Sequence, residues 1–401
     1  MKLLLALSLR NIIRHRRRNG MLFAAIAIAV AGVASMNTLI RGFQDDMLES
    51  AVANLTGHIK VHAPGYRDDP SIQRGFELAQ DYVPAVPPEE LRGWAPRVRI
   101  PAVIMSERET RGVQLVGVDP GREDISFLGN VPVDGERLAD GDDPRVLIGA
   151  ELARQLETEI GRRLVIITQG ADGLNREKGY RVAGTYDADG TGLEKVFVFT
   201  GLANLQGLLD SSAVTEVSIR LQEEPQRVSV KQLIVEAFID LDVKDWQELE
   251  PQAAAMYLFA DGAIYIWFLL MMSALTFGLV NTLVASVMER MRELGMLRAL
   301  GMRKRLVLTQ VVLESSIIMA IGVVCGLALG YVIYLAMADG LDLSAFAEGV
   351  EMAGMSTQLK PVLLGTDFVL VAALSMALGV LASLYPAWRV VKPSPLDAMH
   401  R

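Results

Sequence analysis

Four apolar stretches of the chain are long enough to cross a membrane. They are Met21–Ile40, Ala263–Met288, Leu306–Met337 and Asp367–Trp388, and their only charged residues are Glu314 and Asp367. An α-helix rises 1.5 Å per residue, so about 20 apolar residues span a hydrocarbon core of about 30 Å. Lipid gives the backbone no hydrogen-bond partner, and we therefore predict a transmembrane helix for each stretch.

Basic residues gather at three places between and beyond these stretches. Residues 1–19 contain six Lys and Arg and no acid, residues 289–305 contain six against two acids, and residues 388–401 contain three against one. The remainder has 24 basic and 44 acidic residues. Four spans place the three basic segments on one side, which is the cytoplasmic side by the positive-inside rule. Both termini are therefore predicted to be cytoplasmic.

The first 20 residues carry their apolar side chains on one helical face. Leu5, Leu9, Ile12 and Ile13 share that face, and the arginines lie elsewhere. This pattern predicts an amphipathic helix that lies on the cytoplasmic surface and continues into the first span. A disordered basic tail is the alternative.

Residues 41–262 have a different pattern and an acidic balance, with 23 basic and 38 acidic residues. Alternating or β-branched runs predict strands at 58–62, 113–118, 145–148, 163–168, 195–200 and 217–221. Helical patterns intervene at 149–156, 202–208 and 228–238. The weakly periodic stretch 64–96 is predicted to be an extended or looped insertion. We expect an α+β domain, with two subdomains, on the non-cytoplasmic side.

Several kinds of chemistry find no motif in the sequence. Cys325 is the single cysteine, so no disulfide can form within one chain. His58 and His62 are four positions apart on a predicted strand, without a Cys or nearby acid, so we predict no metal site. No nucleophile-elbow or zinc-protease motif occurs, and no G-x-x-x-x-G-K-[ST] segment for ATP phosphates. We predict no catalytic site and no nucleic-acid partner.

The cytoplasmic segment 289–305 combines charges with helix-forming apolar residues. Met291, Leu294, Leu297 and Leu300 can share one side of a helix. Such a helix between two spans can place its apolar side in a partner's groove while its charges fix the register. A basic loop without a partner is the alternative.

These segments resemble the MacB/FtsX-type ABC transporter permease superfamily. The resemblance is carried by Glu289–Gly301, by Gln310–Glu314, by the ending Tyr385–Arg389 with Pro395–Met399, and by the opening Leu7–Ile13. One span, a large outer domain and three further spans are also that superfamily's layout. Within it, Thr56–Tyr66 is similar to the start of the outer domain in lipoprotein-releasing permeases of the LolC/LolE kind.

The resemblance implies a dimeric permease of the bacterial inner membrane, served by two copies of a separate ATPase that binds ATP and Mg. The second permease is the same chain or a paralogue. The cargo is a periplasmic or lipid-anchored protein, and membrane lipids are further partners. The resemblance also implies that the helix in 289–305 is the coupling helix, which docks on the ATPase. Its expected ATPase contacts are Arg290, Glu293 and Arg298 by charge and Leu294 and Leu297 as buried apolar groups.

The resemblance leaves three functions open. The first is lipoprotein release or related export, in which ATPase strokes move the outer domain. The second is a division-type regulatory permease that acts on a cell-wall hydrolase. The third is efflux of macrolides or peptides. A membrane enzyme is disfavoured because no catalytic constellation occurs.

Five residues inside the spans are candidates for helix contacts. Gly322, Gly326 and Gly330 repeat at the spacing that lets helix backbones approach closely. Glu314 is an ionisable group two turns into its span, and a structural ion pair is favoured over a transport role. Asn281 is expected to hydrogen-bond a neighbouring helix.

The predicted fold is therefore a membrane α-helical protein with an α+β periplasmic domain inserted between the first two of four spans. Its predicted segments are an amphipathic helix 1–20, TM1 21–40, a MacB-like periplasmic domain 41–262, TM2 263–288, a coupling helix 289–305, TM3 306–337, a periplasmic loop 338–366, TM4 367–388 and a cytoplasmic tail 389–401.

Overall fold

The computed structural model describes residues 10, 12–14, 16–79, 82–188, 192–289, 296, 302–342 and 358–391. The chain divides into two compact units. The membrane unit comprises the described residues within Met1–Asp45, Leu258–Leu343 and Gln358–Arg401, and the sheet unit comprises those within Asp46–Tyr257. The division falls inside two helices.

The helices are α1 (Arg16–Ala53), α2 (Phe127–Asn130), α3 (Ala150–Gln155), α4 (Leu202–Leu209), α5 (Arg227–Ala237), α6 (Trp246–Leu249), α7 (Pro251–Glu289), α8 (Lys304–Ala336) and α9 (Gly365–Val391). The strands are β1 (Ile59–His62), β2 (Leu91–Met105), β3 (Thr110–Val118), β4 (Val133–Gly135), β5 (Val146–Gly149), β6 (Arg163–Gln169), β7 (Asn175–Tyr186), β8 (Phe197–Gly201), β9 (Glu216–Leu221), β10 (Asp242–Asp245), β11 (Leu341–Asp342) and β12 (Gln358–Leu359).

Within the described residues, the membrane unit contains four helices that are long and apolar enough to cross a membrane, within α1, α7, α8 and α9. Their shared core draws on all four, with Ile26 and Val30 from α1, Met272 from α7, Met319 from α8 and Val371 from α9. Large apolar side chains also cover their outer faces, among them Leu269, Phe277, Val324 and Val369. An apolar core beneath an apolar surface is expected where the solvent is lipid.

In the described part of the sheet unit, ten strands form one sheet in the order β10-β1-β9-β2-β3-β8-β5-β7-β4, with β6 pairing β2 and β7. The long strand β2 belongs to both halves of this sheet. Its first part, Leu91–Arg97, pairs with β9, and its second part, Val98–Met105, pairs with β3. The domain is α+β, and the predicted class of four membrane helices with this domain between the first two is the architecture observed.

The structure has a strand at each of the six predicted strand positions and a helix at each of the three predicted helical positions. The stretch 64–96, predicted to be an extended or looped insertion, ends inside a strand, because β2 begins at Leu91. Pro96 lies inside this strand, although proline normally disrupts an inner strand. In the described ladders only β9 pairs with this part of β2, so Pro96 has no second ladder to interrupt. Strand β7 was not predicted, because it opens with the polar run Asn175–Lys178.

Candidate functional site

The predicted ATPase contacts lie in a part of the chain that the structure does not describe. Helix α7 ends at Glu289 and α8 begins at Lys304, and Met296 is the only described residue in 290–301. The predicted contact residues that fall outside the described residues are Arg290, Glu293, Leu294, Leu297 and Arg298. Their role stays a prediction.

The three candidate glycines of α8 lie against α1. A Cβ added at Gly322 would meet Ile26 Cγ2 at 2.7 Å. One at Gly326 would meet the Ala27 carbonyl oxygen at 2.7 Å. One at Gly330 would approach Ala34 Cβ at 3.0 Å. Glycine therefore lets the two helices pack more closely than any side chain would allow.

The two candidate polar residues of the spans have different surroundings. Glu314 is buried on α8, and it does have an interaction partner. Asn281 has an exposed side chain on α7 in the single chain.

A charged cluster that sequence analysis missed connects three helices of the membrane unit. Arg41 of α1 donates from Nε to Asp367 Oδ2 of α9 at 3.0 Å and from Nη1 to Asp261 Oδ1 of α7 at 3.4 Å. Gln44 accepts a further hydrogen bond from Arg41 Nη1 at 3.0 Å. A signal was present in the sequence, because all three charges flank predicted spans on the same predicted side.

We expect the two acids of this cluster to contribute unequally to stability. The Asp367 side chain is 16% exposed and lies in the first turn of α9, where the helix dipole favours a carboxylate. The Asp261 side chain is 43% exposed and its contact is longer. Asp367→Asn should therefore cost about 1–2 kcal/mol, and Asp261→Asn less than about 0.5 kcal/mol.

Thermal unfolding of the detergent-purified chain measures this difference. Both variants replace an aspartate that contacts Arg41 with an asparagine, so each serves as the control for the other. Equal losses of stability, or a larger loss for Asp261→Asn, would contradict the assignment.

In the sheet unit, one face of β1, β9 and β2 carries polar side chains that are buried. The opposite face packs Ile59, Val61, Val217 and Ile219 into an apolar core. The polar face carries Lys60, His62, Glu216, Ser218, Arg220 and Arg97, all buried. The β-sheet period of two puts these residues on one face. Alternation was visible in the sequence, but burial of the polar side was not.

Arg97 is the centre of this polar face and is fully buried. Its Nε and Nη2 donate to the two carboxylate oxygens of Glu123 at 2.7 and 2.8 Å. Its Nη1 donates to the Leu55 carbonyl oxygen and to Ser218 Oγ, each at 2.9 Å. Glu216 lies 3.7 Å from Nη1. The guanidinium therefore links its own strand β2 to three other segments of the sheet unit.

The contact with Leu55 fixes the turn that follows α1. Leu55 has a φ of 64°, a left-handed conformation that is unfavourable for a residue with a Cβ, and it is fully buried. Ser218 Oγ also donates to the Leu55 carbonyl oxygen, at 2.8 Å. Two buried donors thus hold the strained turn in place.

The last turns of α1 and the first turns of α7 are anchored within the sheet unit. Val52 of α1 and Ala254 of α7 share an apolar cluster with the buried Trp246. Tyr257 of α7 packs edge-on against the Trp246 ring, with ring centroids 5.6 Å apart. Glu49 of α1 forms an ion pair with Arg220 of β9. The two chain segments that enter and leave the sheet are therefore fixed to it.

Burial and the Arg220 charge lower the pKa of His58 to about 4. The Leu221 amide donates to His58 Nδ1 at 3.2 Å, so the neutral ring accepts at that nitrogen. Below about pH 6.5 the unfolded chain binds a proton that the folded chain does not, and folding stability is lost as pH falls. From pH 6.5 to 4 this one group should remove about 3 kcal/mol.

Urea unfolding across this pH range tests the assignment, with His58→Asn as the variant. The amide oxygen of the introduced asparagine can accept from the Leu221 amide, but the side chain cannot titrate. The number of protons taken up on unfolding, which sets the slope of unfolding free energy against pH, should fall by about one. The same dependence in both proteins would show that His58 does not titrate as assigned.

The family of the chain is identified mainly from the part that contains the sheet. The MacB-like periplasmic core domain family matches residues 21–237, which is more than half of the 401 residues. The chain belongs to this family. The FtsX-like permease C-terminal family matches residues 265–395, which include α8 and α9. The predicted membership in the MacB/FtsX permease superfamily is therefore confirmed, and the chain is an ABC transporter permease of this superfamily.

Relatives of this permease match along nearly the whole chain. The lipoprotein-releasing system transmembrane protein LolC of Xylella fastidiosa is 22% identical over 98% of both chains. LolC of Neisseria meningitidis is 25% identical over 96% of both. The macrolide export ATP-binding/permease protein MacB of Bdellovibrio bacteriovorus is 25% identical over 96% of this chain and 59% of its own length.

Among solved structures, the periplasmic region of MacB from Actinobacillus actinomycetemcomitans matches with a TM-score of 0.33 and 9% identity. That match covers 48% of this chain and 91% of the other.

Proposed function

We propose that this permease releases lipoproteins from the bacterial inner membrane, with the energy of ATP hydrolysed by a separate ATPase. The observation that supports this most directly is similarity to lipoprotein-releasing LolC along 98% of both chains. The proposal places both termini in the cytoplasm and the sheet unit in the periplasm, as the basic segments predict.

We propose that the ATPase is a separate chain. This sequence contains no P-loop motif, whereas the Bdellovibrio relative is named an ATP-binding/permease protein and is longer. We propose two ATPase copies that bind ATP and Mg, and a dimer completed by a second permease, either the same chain or a paralogue.

The contacts within the sheet unit support a mechanical role for α1 and α7. Both helices include residues of both units. Their ends in the sheet unit are fixed by Trp246 and by the Glu49–Arg220 ion pair. A displacement of either helix that starts at the coupling segment 289–305 would therefore act on the sheet rather than on a loose linker. The sheet unit would in turn act on the lipid-anchored cargo.

Reconstitution into proteoliposomes with the partner ATPase tests the release function. A fluorescent triacylated lipoprotein should leave the vesicles for a soluble acceptor when ATP is added, and a non-hydrolysable ATP analogue should prevent this. Release that does not depend on ATP, or no release, would refute the proposal.

Macrolide export is the second candidate, because the Bdellovibrio MacB is similar over 96% of this chain. The same vesicles distinguish the two functions. ATP-dependent movement of a labelled macrolide, with the lipoprotein retained in the membrane, would select export instead.

The predicted coupling helix has its own test. Leu294→Glu combined with Arg298→Glu should abolish association with the ATPase, because it places a charge on the apolar side and reverses a charged contact. ATP hydrolysis should then fall at least tenfold, to the rate of the ATPase alone. Arg303→Glu reverses a charge in the same basic segment without touching a predicted contact, and should leave association unchanged. Unchanged association in the double variant would refute the coupling assignment.

A further inference from the structure

The polar face of the sheet unit opens into a cavity of about 240 Å³. Its lining includes Lys60 of β1, Arg99 of β2, Gln114 of β3 and Arg67 of the segment after β1. Pockets for drug-sized ligands have volumes of about 300–1,000 Å³. The size therefore suits a small ion or a small charged headgroup.

Basic side chains reach the cavity from three chain segments. Lys60, Arg67 and Arg99 line it, together with the acids Glu216 and Glu250. Glu216 Oε2 already accepts a hydrogen bond from Lys60 Nζ at 3.0 Å, so these two charges offset each other. The guanidinium groups of Arg67 and Arg99 then remain against the Glu250 carboxylate, so the net charge of the cavity lining is positive.

Arg99 is held in a fixed orientation beside this cavity. Its guanidinium carbon lies 4.8 Å from the centre of the Phe197 ring, a cation–π geometry. Its backbone is fixed as well, because the amide donates to Thr215 Oγ1 at 2.8 Å and the carbonyl oxygen accepts from the Tyr66 hydroxyl. Within the described residues, no carboxylate lies within 4 Å of this guanidinium, so its N–H groups can bind an anion.

We propose that this cavity binds a phosphate-type oxyanion, with Arg99 and Arg67 as its main ligands and Lys60 as a supporting charge. Arginine binds phosphate through two parallel hydrogen bonds. Cations that arrive from β1, β2 and the segment after β1 suit the several oxygens of a tetrahedral ion better than the two coplanar oxygens of a carboxylate. The cavity lies within the sheet unit and is independent of the proposed cargo function.

Titration of the detergent-purified full-length chain with inorganic phosphate, in phosphate-free buffer, tests this site. Isothermal titration calorimetry should show saturable binding, and phosphate should raise the unfolding temperature. Arg99→Gln and Arg67→Gln should each weaken binding at least tenfold. Arg67 is exposed, so its substitution leaves the fold intact and keeps the test valid if Arg99→Gln destabilises the chain.

Arg111→Gln is the matched control, because Arg111 of β3 is already paired with Glu109 and does not line the cavity. It should bind phosphate as the unsubstituted chain does. Competition then identifies the natural source of the phosphate group. Displacement by phosphatidylglycerol in mixed micelles assigns a lipid headgroup, and displacement by glycerol 3-phosphate alone assigns a free small anion. No saturable binding, or equal binding by the Arg67→Gln and Arg111→Gln variants, would overturn the proposal.

Discussion

Arg97→Met is expected to lower the free energy of unfolding of the sheet unit by about 3–5 kcal/mol. Methionine fills a similar volume but leaves the Glu123 carboxylate buried without its two N–H donors. The Leu55 carbonyl oxygen would also lose one of its two donors. A buried charge without a partner accounts for most of the expected loss.

Urea unfolding of the detergent-purified full-length chain, followed by tryptophan fluorescence, measures this effect through Trp94 and Trp246 of the sheet unit. Arg108→Met is the matched control. It removes another arginine that pairs with a glutamate, but the Arg108 and Glu157 side chains are 71% and 52% exposed. Exposed ion pairs contribute little, so no measurable change is expected.

A double variant separates the lost charge pair from lost packing. Arg97→Met combined with Glu123→Met removes both members of the closest ion pair and leaves no unpaired carboxylate at position 123. It should recover part of the stability lost in the single variant. If the double variant is less stable than Arg97→Met, the cost does not come from the unpaired Glu123 charge.

The ionic network could not be predicted from the sequence, although its strands could. The run His58–His62 alternates polar and apolar residues, which indicates a two-faced strand. Alternation does not reveal which face meets solvent. Here Ile59 and Val61 face an apolar core, and Lys60 and His62 are buried on the other side. Only the pairing of β1 with β9, which is 154 residues away at His62↔Glu216, brings Lys60 and Glu216 together.

The membrane helices were easier to predict, because their signal is composition rather than pairing. An uncharged stretch of 20 residues identifies a span without knowledge of its neighbours. The helices themselves extend beyond the apolar stretches, and α1 continues from Ile40 to Ala53. That extension is polar and contains Arg41, Asp45, Asp46 and Glu49. The span predicted from hydropathy therefore stops before the end of the helix. The Arg41 cluster and the Glu49–Arg220 ion pair both lie in this extension.

Gly326→Leu is expected to disrupt the packing of α8 against α1 and to abolish the proposed ATP-dependent release. The first atom of any side chain at this position would lie 2.7 Å from the Ala27 carbonyl oxygen and 2.7 Å from Val30 Cβ. A backbone oxygen in a helix cannot move aside, so the helices must separate. Gly326→Ala, which adds one methyl group, should already cost about 1–3 kcal/mol. Leucine should cost more, because three further carbons have no space.

Ala328→Leu is the control for this prediction. Ala328 lies on the exposed side of α8, two residues from Gly326, so leucine there should point toward lipid. Thermal unfolding in detergent and release from proteoliposomes should both be unchanged. Gly330→Ala should give an intermediate loss, because its added carbon would approach Ala34 Cβ only to 3.0 Å. A Gly326→Ala variant as stable as Ala328→Leu would show that close approach of α1 and α8 is not required for their packing. If the stability loss appears but release persists in Gly326→Leu, the contact stabilises the bundle without taking part in transport.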